Sequence, residues 1–184
     1  MSHCQFLDKA RRTSEEFYTL NEDHMCKIGA SFIGLGSLSA DVASGKFYYK
    51  GLKKFSTQGA ARRTVEMIPT LLPNSIEAVL YSSLEKTSFI PDVVVVICNP
   101  RQIMVLTQAI MYKTGGRLEA SFVGMQSLCS DAVVQIYNEG KVGVTVGCDG
   151  CRFLTKIADE EMIMGIPVEL LADVVAGLNE ICPN

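Results

Sequence analysis

The sequence predicts an α/β protein, with helices and one mixed sheet in a single domain over residues 1–184. Three observations predict this class. A chain of 184 residues with 48% hydrophobic and 20% charged residues can bury one substantial core but not two comfortable ones. A strand, a helix and a second strand follow one another between residues 93 and 123. A twelve-residue segment also occurs twice, which indicates a pseudo-symmetric internal repeat.

The first half of the chain carries two predicted helices and one predicted strand. The first helix is expected over residues 5–12. Residues 58–68 predict an amphipathic helix, because their apolar side chains fall on one face before Pro69. The short apolar run 76–81 follows a turn signal and predicts a strand. Periodicity leaves residues 26–36 open between a helix and a strand.

The second half contains the predicted strand-helix-strand unit. Residues 93–98 are apolar on both faces, which predicts a central strand. Asn99-Pro100 is expected to cap a helix over 101–113, and Gly115-Gly116 to end it. A strand over 118–123 would then run parallel to the first after a right-handed crossover. Further along, the pattern predicts a helix over 127–137, a strand over 142–146 and a closing helix over 168–181.

The internal repeat relates residues 30–41 to residues 120–131, where seven of twelve positions are identical. We expect repeat units near 4–54 and 92–147, with Phe32 and Phe122 buried alike and Gly34 and Gly124 at comparable close contacts. The alternative is that small residues recur because both segments pack tightly.

Composition and charge exclude several classes of function. A net charge of −3 and a pI near 5.4 argue against binding to nucleic acid, which requires a concentrated basic surface. No apolar stretch is long enough to insert into a membrane, and the polar start Met1-Ser2-His3-Cys4-Gln5 lacks the apolar core of a secretory signal. A cytoplasmic protein is expected, in which the odd number of seven cysteines argues against a disulfide framework.

The cysteines divide into two groups by their neighbours. Cys98 ends an apolar run and is expected to be a packing thiol. Four others lie beside glycine, small polar residues or a histidine, where a thiolate can bind a metal or react: Cys26, Cys129, Cys148 and Cys151.

Several kinds of site compete for these thiols. The Cys148-Asp149-Gly150-Cys151 motif has dithiol spacing, but residues 152–157 alternate like a strand, which disfavours a redox dithiol at a helix start. An iron-sulfur cluster could take Cys4, Cys26, Cys129 and either Cys148 or Cys151, and separate packing thiols are the alternative. His24 is expected at the surface or as a cap. The sequence carries no established nucleophile, phosphate-binding or paired-carboxylate motif.

Short segments along nearly the whole chain resemble one protein family. They are Glu16-Phe17-Tyr18-Thr19-Leu20, His24-Met25-Cys26, Ser44-Gly45-Lys46-Phe47-Tyr48, Ala60-Ala61-Arg62-Arg63-Thr64, Ile68-Pro69, Pro91-Asp92-Val93-Val94, Asn99-Pro100, Ala120-Ser121-Phe122, Cys129-Ser130-Asp131-Ala132-Val133, Gly147-Cys148 and Gly165-Ile166-Pro167. In order and number they resemble the DUF169 family of archaeal and bacterial proteins. The resemblance implies one DUF169-like domain and positions for a site, and it implies no activity.

The resemblance also implies a ligand set. Cys4, Cys26, Cys129 and Cys148 match the recurrent cysteines of the family, and four thiolates are what a [4Fe-4S] cluster takes. Cys151 departs from the family pattern and is expected to be a spare thiol beside the cluster. The chain begins later than many members, which implies an uncovered sheet edge that a partner could cover.

Together these observations predict an oxygen-sensitive iron-sulfur or metal-binding accessory or regulatory protein of anaerobic metabolism. It is expected to dock on a larger enzyme or on a second copy of itself and to have no turnover of its own. Two alternatives stay open. One is a cofactor-free or small-molecule-binding α/β module with structural thiols. The other is a cysteine-dependent redox enzyme that uses Cys148 and Cys151.

Overall fold

The computed structural model describes residues 1–182 and contains helices together with two small sheets. The predicted α/β class is therefore confirmed. The chain folds as two compact units, an N-terminal unit from Met1 to Thr87 and a C-terminal unit from Ser88 onward. The single domain expected over 1–184 stays a prediction. No helix among the described residues is long and apolar enough to cross a membrane.

The N-terminal unit is mainly helical, and its helices begin at sequence-encoded caps. Helix α1 begins after Ser2, whose hydroxyl accepts from the Gln5 N–H while the Gln5 side chain accepts from the Ser2 N–H. Helix α4 (Gln58–Met67) begins after Thr57, whose hydroxyl accepts a hydrogen bond from the Ala60 N–H; the side chain of Ala60 returns no bond. The elements are α1 (His3–Thr13), β1 (Phe17–Thr19), a 3-10 turn (Asn21–Asp23), α2 (Lys27–Phe32), α3 (Ala40–Ala43), a π-helical turn (Phe47–Gly51), α4 (Gln58–Met67) and β2 (Val79–Tyr81).

The N-terminal unit contains a two-stranded antiparallel sheet. Strand β1 pairs with β2 so that Phe17 lies opposite Tyr81. Helix α1 packs against this sheet, with Phe6 and Ala10 buried beside Tyr81. The ring of Phe6 is 5.7 Å from the Tyr81 ring, centre to centre. An aromatic cluster therefore joins α1 to the sheet.

The C-terminal unit confirms the predicted strand and capped helix at its start. Strand β3 covers Val93–Cys98, and Asn99 caps α5 (Pro100–Met111) through reciprocal bonds with Gln102. Pro100 occupies the first helical turn, where its missing N–H costs nothing. The remaining elements are a second π-helical turn (Ser130–Val134), α6 (Gln135–Glu139), β4 (Gly143–Thr145), α7 (Asp149–Thr155), β5 (Met162–Pro167) and α8 (Val168–Ile181).

The sheet of the C-terminal unit differs from the predicted one. Its order is β3-β5-β4, and both pairings are antiparallel. The predicted parallel crossover is wrong, because residues 118–123 form no strand. Strand β3 is an edge strand, and β5 is the central one. Val94 and Val96 lie opposite Ile166 and Met164, so β5 supplies the apolar partner that was assigned to residues 118–123.

Two glycines let helical segments approach this sheet and each other. A Cβ on Gly165 of β5 would lie 2.2 Å from the Ala132 carbonyl oxygen in the π-helical turn. A Cβ on Gly177 of α8 would lie 2.3 Å from the carbonyl oxygen of Ala109 in α5. Any larger residue would force these elements apart. The π-helical turn that carries Asp131 is therefore held directly against the central strand.

The predicted internal repeat is not confirmed. Phe32 is fully buried at the end of α2, whereas Phe122 is 42% exposed outside any helix or strand. Gly34 and Gly124 share a positive φ, of 81° and 69°. A Cβ on Gly34 would crowd three side chains, but one on Gly124 would meet nothing within 4 Å. The expectation of equal burial and equal close contacts is thus wrong for these pairs.

Candidate functional site

The candidate site in the C-terminal unit is built where strand β4 turns into helix α7. Gly147 makes this turn with φ +82°, and a Cβ there would lie 3.1 Å from the Cys151 sulfur. Cys148 is the cap residue of α7, and Cys151 lies one turn into the helix. Glycine therefore allows the strand to turn and leaves room for the second thiol.

Cys148 and Cys151 cap the helix reciprocally. The N–H of Cys148 donates to the Cys151 sulfur at 3.1 Å, and the Cys148 sulfur accepts from the main-chain N–H of Cys151. The Cys151 thiol lies 3.2 Å from the Cys148 carbonyl oxygen, to which it donates. Cys148 is partly exposed, whereas Cys151 is fully buried. The pair thus consists of one accessible sulfur and one protected sulfur.

The surroundings of Cys148 stabilise its thiolate. The hydrogen bond that the Cys151 thiol can give to the Cys148 sulfur, instead of to the Cys148 carbonyl oxygen, is the main cause that lowers the pKa of Cys148 to about 6, and burial acts against it. The main-chain N–H groups of Cys151, Ser127 and Gly150 lower the same pKa further. At neutral pH this sulfur is therefore mostly the thiolate, the form that reacts with electrophiles and disulfides.

Asp131 is a buried carboxyl group beside this pair. Its Oδ2 accepts a hydrogen bond from the Thr145 hydroxyl at 3.1 Å, and the Thr145 oxygen accepts from the Gly147 N–H. Burial is the main cause that raises the pKa of Asp131 to about 6; hydrogen bonds from Ser127 and Thr145 act against it, and the charge of Cys148 contributes to the rise. Because each anion disfavours the other, the two groups bind and release protons in a linked way near pH 6.

Helix α7 corrects an expectation drawn from the sequence. Residues 152–157 were expected to alternate as a strand, but α7 runs through Thr155. Arg152 ties α7 to the segments on either side of it, because its guanidinium donates to the carbonyl oxygens of Val146, Ala158 and Glu161. Thr155 donates to the Cys151 carbonyl oxygen at 2.6 Å. Because Cys148 precedes a helix and not a strand, the objection to a dithiol at a helix start no longer holds.

The other predicted ligands are distributed over both units. Cys4 is buried in α1, and Cys26 is the cap of α2, where its sulfur accepts from the Gly29 N–H at 3.4 Å. Cys129 is buried directly before the π-helical turn. Cys98 is buried at the end of β3, where burial and then Glu161 raise its pKa. Among residues 1–182, no cysteine forms a disulfide, and no three His, Cys, Asp or Glu side chains form a metal-binding group.

The N-terminal unit contains a second polar cluster, made by the two histidines of the chain. His3 and His24 are 2% and 0% exposed. A surface position for His24 is therefore wrong, but His24 is a cap as the alternative had it, because its N–H closes the 3-10 turn on the Asn21 carbonyl oxygen. His3 Nδ1 lies 2.7 Å from the Tyr81 hydroxyl, and His24 Nε2 lies 2.9 Å from the Thr19 hydroxyl. The opposite ring nitrogens, His3 Nε2 and His24 Nδ1, are buried and have no hydrogen-bond partner.

Burial keeps both imidazoles neutral. It lowers the pKa of His3 to about 3, with a contribution from His24, and lowers the pKa of His24 to about 4. The sequence carried a weak signal for this pair. The position of His3, just after a capping serine at the start of an amphipathic helix, allowed burial, but the meeting with residue 24 depends on the fold of the whole unit.

Comparison with known proteins assigns the chain to a family. The sequence model of the DUF169 family, described as uncharacterised ArCR, matches residues 1–177. The chain is also similar to the uncharacterized protein MJ0308 of Methanocaldococcus jannaschii. The two are 38% identical over 177 residues, which cover 96% of this chain and 75% of that relative. No solved structure matches.

The chain therefore belongs to the DUF169 family, as the resemblance indicated. Neither the family description nor the relative's name states an activity. The function therefore has to be inferred from the geometry of the cysteine pair with Asp131 and of the histidine pair.

Proposed function

We propose that the chain carries out dithiol–disulfide exchange at Cys148 and Cys151. The reciprocal cap carries this proposal, since it pairs a partly exposed thiolate with a buried thiol one helical turn away. Thiol-disulfide catalysts need such an asymmetric pair, because the first sulfur attacks the substrate and the second resolves the product. The substrate class is a disulfide.

The exchange balances without any further reactant. The Cys148 thiolate attacks one sulfur of the substrate disulfide, forming a mixed disulfide and releasing the other sulfur as a thiolate. The Cys151 sulfur, after losing its proton, attacks Cys148 and releases the second substrate thiolate. The protein loses two electrons and becomes the Cys148–Cys151 disulfide, and the substrate disulfide gains those two electrons. Two protons end on the two product thiols, one from the Cys151 thiol and one from the Asp131 carboxyl, which finishes the exchange as a carboxylate and is protonated again from solvent.

Asp131 is the group that we assign to hold a proton during this exchange. While Cys148 is a thiolate, its charge favours the protonated form of the buried Asp131 carboxyl. When the mixed disulfide forms, that charge disappears and Asp131 can release its proton to the departing thiolate. The carboxylate is then available to accept the proton of the resolving thiol. Thr145 keeps the carboxyl oriented through its hydrogen bond to Oδ2.

Exchange with oxidised glutathione tests the proposal. The reduced chain should consume the disulfide and form one internal Cys148–Cys151 bond, which mass spectrometry of protease fragments locates. Cys148→Ser should abolish the reaction, whereas Cys151→Ser should stop it at a mixed disulfide on Cys148. Cys98→Ser is the matched control, because Cys98 is buried and its pKa is raised. This control should react like the unchanged chain.

The rate of alkylation by iodoacetamide gives a second measurement. It should follow the ionisation of one fast thiol with a midpoint near pH 6, and this phase should vanish in Cys148→Ser. A midpoint at the ordinary value of cysteine, or oxidation that joins other cysteines first, contradicts the proposal.

The iron-sulfur function stays a prediction, and one observation favours it. Three of the four expected ligands directly precede a helical segment: Cys26, Cys129 and Cys148. Docking on a larger enzyme or a second copy, oxygen sensitivity and a cytoplasmic location stay predictions with it. An absorbance spectrum with iron and sulfide analysis of anaerobically purified protein distinguishes the two functions. Iron lost in Cys26→Ser or Cys129→Ser supports a cluster, and iron-free protein active in exchange supports the dithiol.

A further inference from the structure

The buried carboxyl group of Asp131 is more than disulfide exchange requires. A departing thiolate is a weak base near neutral pH, so exchange can use a proton donor but does not depend on one. Asp131 is nevertheless 2% exposed, and the Thr145 hydroxyl fixes its Oδ2 at 3.1 Å. A carboxyl that is buried and oriented beside a nucleophile indicates chemistry in which a proton must be delivered.

One segment supplies both this carboxyl and a hydrogen-bond donor to the Cys148 sulfur. The main-chain N–H of Ser127 donates to that sulfur. The Ser127 carbonyl oxygen accepts from the Ala132 N–H at 3.0 Å, which fixes Ser127 to the π-helical turn that carries Asp131. Hydrogen bonds therefore hold the acid and the nucleophile in one arrangement.

The sulfur of Cys148 is the accessible part of this arrangement. Cys148 is partly exposed, whereas Cys151 and Asp131 are buried. A reagent from solvent consequently meets the Cys148 sulfur first. The N–H groups of Ser127, Gly150 and Cys151 that donate to the sulfur are also placed to stabilise negative charge that develops next to it.

We propose that Cys148 also reduces hydroperoxides, with Asp131 as the proton donor to the departing oxygen. The proposal rests on the cysteine pair of the proposed exchange and adds a second class of substrate. When an O–O bond breaks, the oxygen that departs is hydroxide or alkoxide, which is a far stronger base than a thiolate. Its departure therefore depends on an acid at the site, and the buried carboxyl supplies one.

The reaction balances over two steps. The Cys148 thiolate attacks the terminal oxygen of the hydroperoxide, the O–O bond breaks, and the departing oxygen takes the Asp131 proton to give an alcohol or water. Cys148 is oxidised to a sulfenic acid, and the peroxide gains two electrons. The Cys151 thiol then gives its proton to the Asp131 carboxylate and attacks the Cys148 sulfur. The hydroxide that departs takes that proton and leaves as water.

The products are the Cys148–Cys151 disulfide, one alcohol or water from the peroxide, and one water from the sulfenic acid. Asp131 finishes as a carboxylate and is protonated again from solvent. A single turnover needs no other reactant. Further turnovers need a reducing thiol, such as glutathione, which opens the disulfide by exchange.

Single-turnover oxidation of the reduced chain by hydrogen peroxide tests the proposal. The loss of free thiols is followed in excess peroxide at about pH 8, where Cys148 is a thiolate. Cys148 should react about a hundred-fold faster than the thiolate of free glutathione. In Cys151→Ser the reaction should stop at a sulfenic acid on Cys148, which dimedone labels and mass spectrometry of protease fragments locates.

Asp131→Asn separates proton donation from activation of the thiolate. It should slow oxidation by peroxide about a hundred-fold, because the departing oxygen loses its acid. It should change alkylation of Cys148 by iodoacetamide less than about three-fold, because iodide leaves without a proton. Asp149→Asn is the matched control, since it removes an exposed carboxyl in the first turn of α7 and should change either rate less than about two-fold.

Equal slowing of oxidation and alkylation in Asp131→Asn overturns the proposal, because Asp131 would then act only on the thiolate. A peroxide rate equal to that of free glutathione thiolate overturns it as well, and so does a sulfenic acid that forms first on another cysteine. Exchange with oxidised glutathione that continues in these cases leaves the proposed function standing. Loss of exchange, together with an ordinary midpoint for alkylation of Cys148, removes both functions.

Discussion

The two units bury titratable groups in opposite ways. In the N-terminal unit, His3 and His24 are buried among aromatic rings, and burial is the main cause that makes them weaker bases. In the C-terminal unit, burial raises the pKa of Asp131, but hydrogen-bond donors lower the pKa of Cys148 despite burial. The first cluster stays neutral, and the second becomes negatively charged as the pH rises through about 6.

This difference in charge determines which chemistry each unit can support. A neutral buried imidazole keeps one ring nitrogen as a hydrogen-bond acceptor and carries no charge near neutral pH. A thiolate surrounded by main-chain N–H groups is available as a nucleophile, and its neighbouring carboxyl can exchange a proton with it. The stability of the two units should consequently respond to acid with opposite signs.

The largest expected effect is the loss of folding stability of the chain in acid. The folded pKa values of His3 and His24, about 3 and 4, lie below the ordinary value of 6.5. Their contribution is complete above pH 6.5 and is lost as the pH falls toward 4, because the unfolded chain binds protons that the folded chain excludes. Each histidine should remove about 1.4 kcal/mol per pH unit in this window. Urea denaturation at successive pH values measures it.

The matched variant for this experiment is His24→Gln. It removes one of the two titrating groups, so the slope of stability against pH below 6.5 should fall by about half. An unchanged slope would show that His24 is protonated in the folded chain.

The next effect concerns Asp131 and has the opposite sign. Its folded pKa of about 6 lies above the ordinary 3.8, so its ionisation destabilises the folded chain as the pH rises, and this cost disappears as the pH falls from 6 toward 4. The total amounts to about 3 kcal/mol. In Asp131→Asn the cost is absent, so the stability difference between variant and unchanged chain should shrink as the pH falls.

Cys148 does not obscure this measurement. Its folded and ordinary pKa values, about 6 and 9.0, make its stabilising contribution complete above 9.0 and lost as the pH falls through 6. Below that it is protonated in both states. A stability difference that stays constant between pH 6 and 4 would mean that Asp131 titrates normally.

A smaller effect is expected at the turn into α7. Gly147→Ala forces a side chain into the left-handed region and against the Cys151 sulfur, and should destabilise the chain by about 1–2 kcal/mol. Gly140→Ala is the matched control, because Gly140 has φ +62° but open space around it. Thermal unfolding compares the two. Only Gly147→Ala should also slow alkylation of Cys148, and equal alkylation in both variants would separate the turn from the thiol.

The sequence allowed prediction of elements with strong local signals. Asn99 and Pro100 begin α5 where their cap chemistry requires, and the amphipathic patterns of α4 and α8 were read correctly. Strand β5 was missed, although it is the central strand. Its pairing with β3 joins residues about seventy positions apart, and no local pattern encodes that contact.

The candidate site could be predicted only in part. The cysteine spacing identified Cys148 and Cys151, but their roles depend on α7, which Arg152 stabilises through three distant carbonyl oxygens. The sequence did not identify Asp131 as a site residue, because its burial depends on the π-helical turn packed against Gly165. Tertiary contacts thus decide what the local pattern left open.

The smallest change in stability should come from Phe153, which lies two residues after Cys151 and is 85% exposed. An exposed aromatic side chain on the helix that carries both cysteines suits contact with a protein substrate. Phe153→Ala should alter stability by less than about 0.5 kcal/mol. It should leave exchange with oxidised glutathione unchanged and slow exchange with a disulfide-bonded protein, such as insulin, about five-fold. Tyr137→Ala, which removes another exposed aromatic ring of the same unit, is the control that should slow neither reaction. If Phe153→Ala slows both exchanges equally, Phe153 supports the dithiol itself and does not contact the protein substrate.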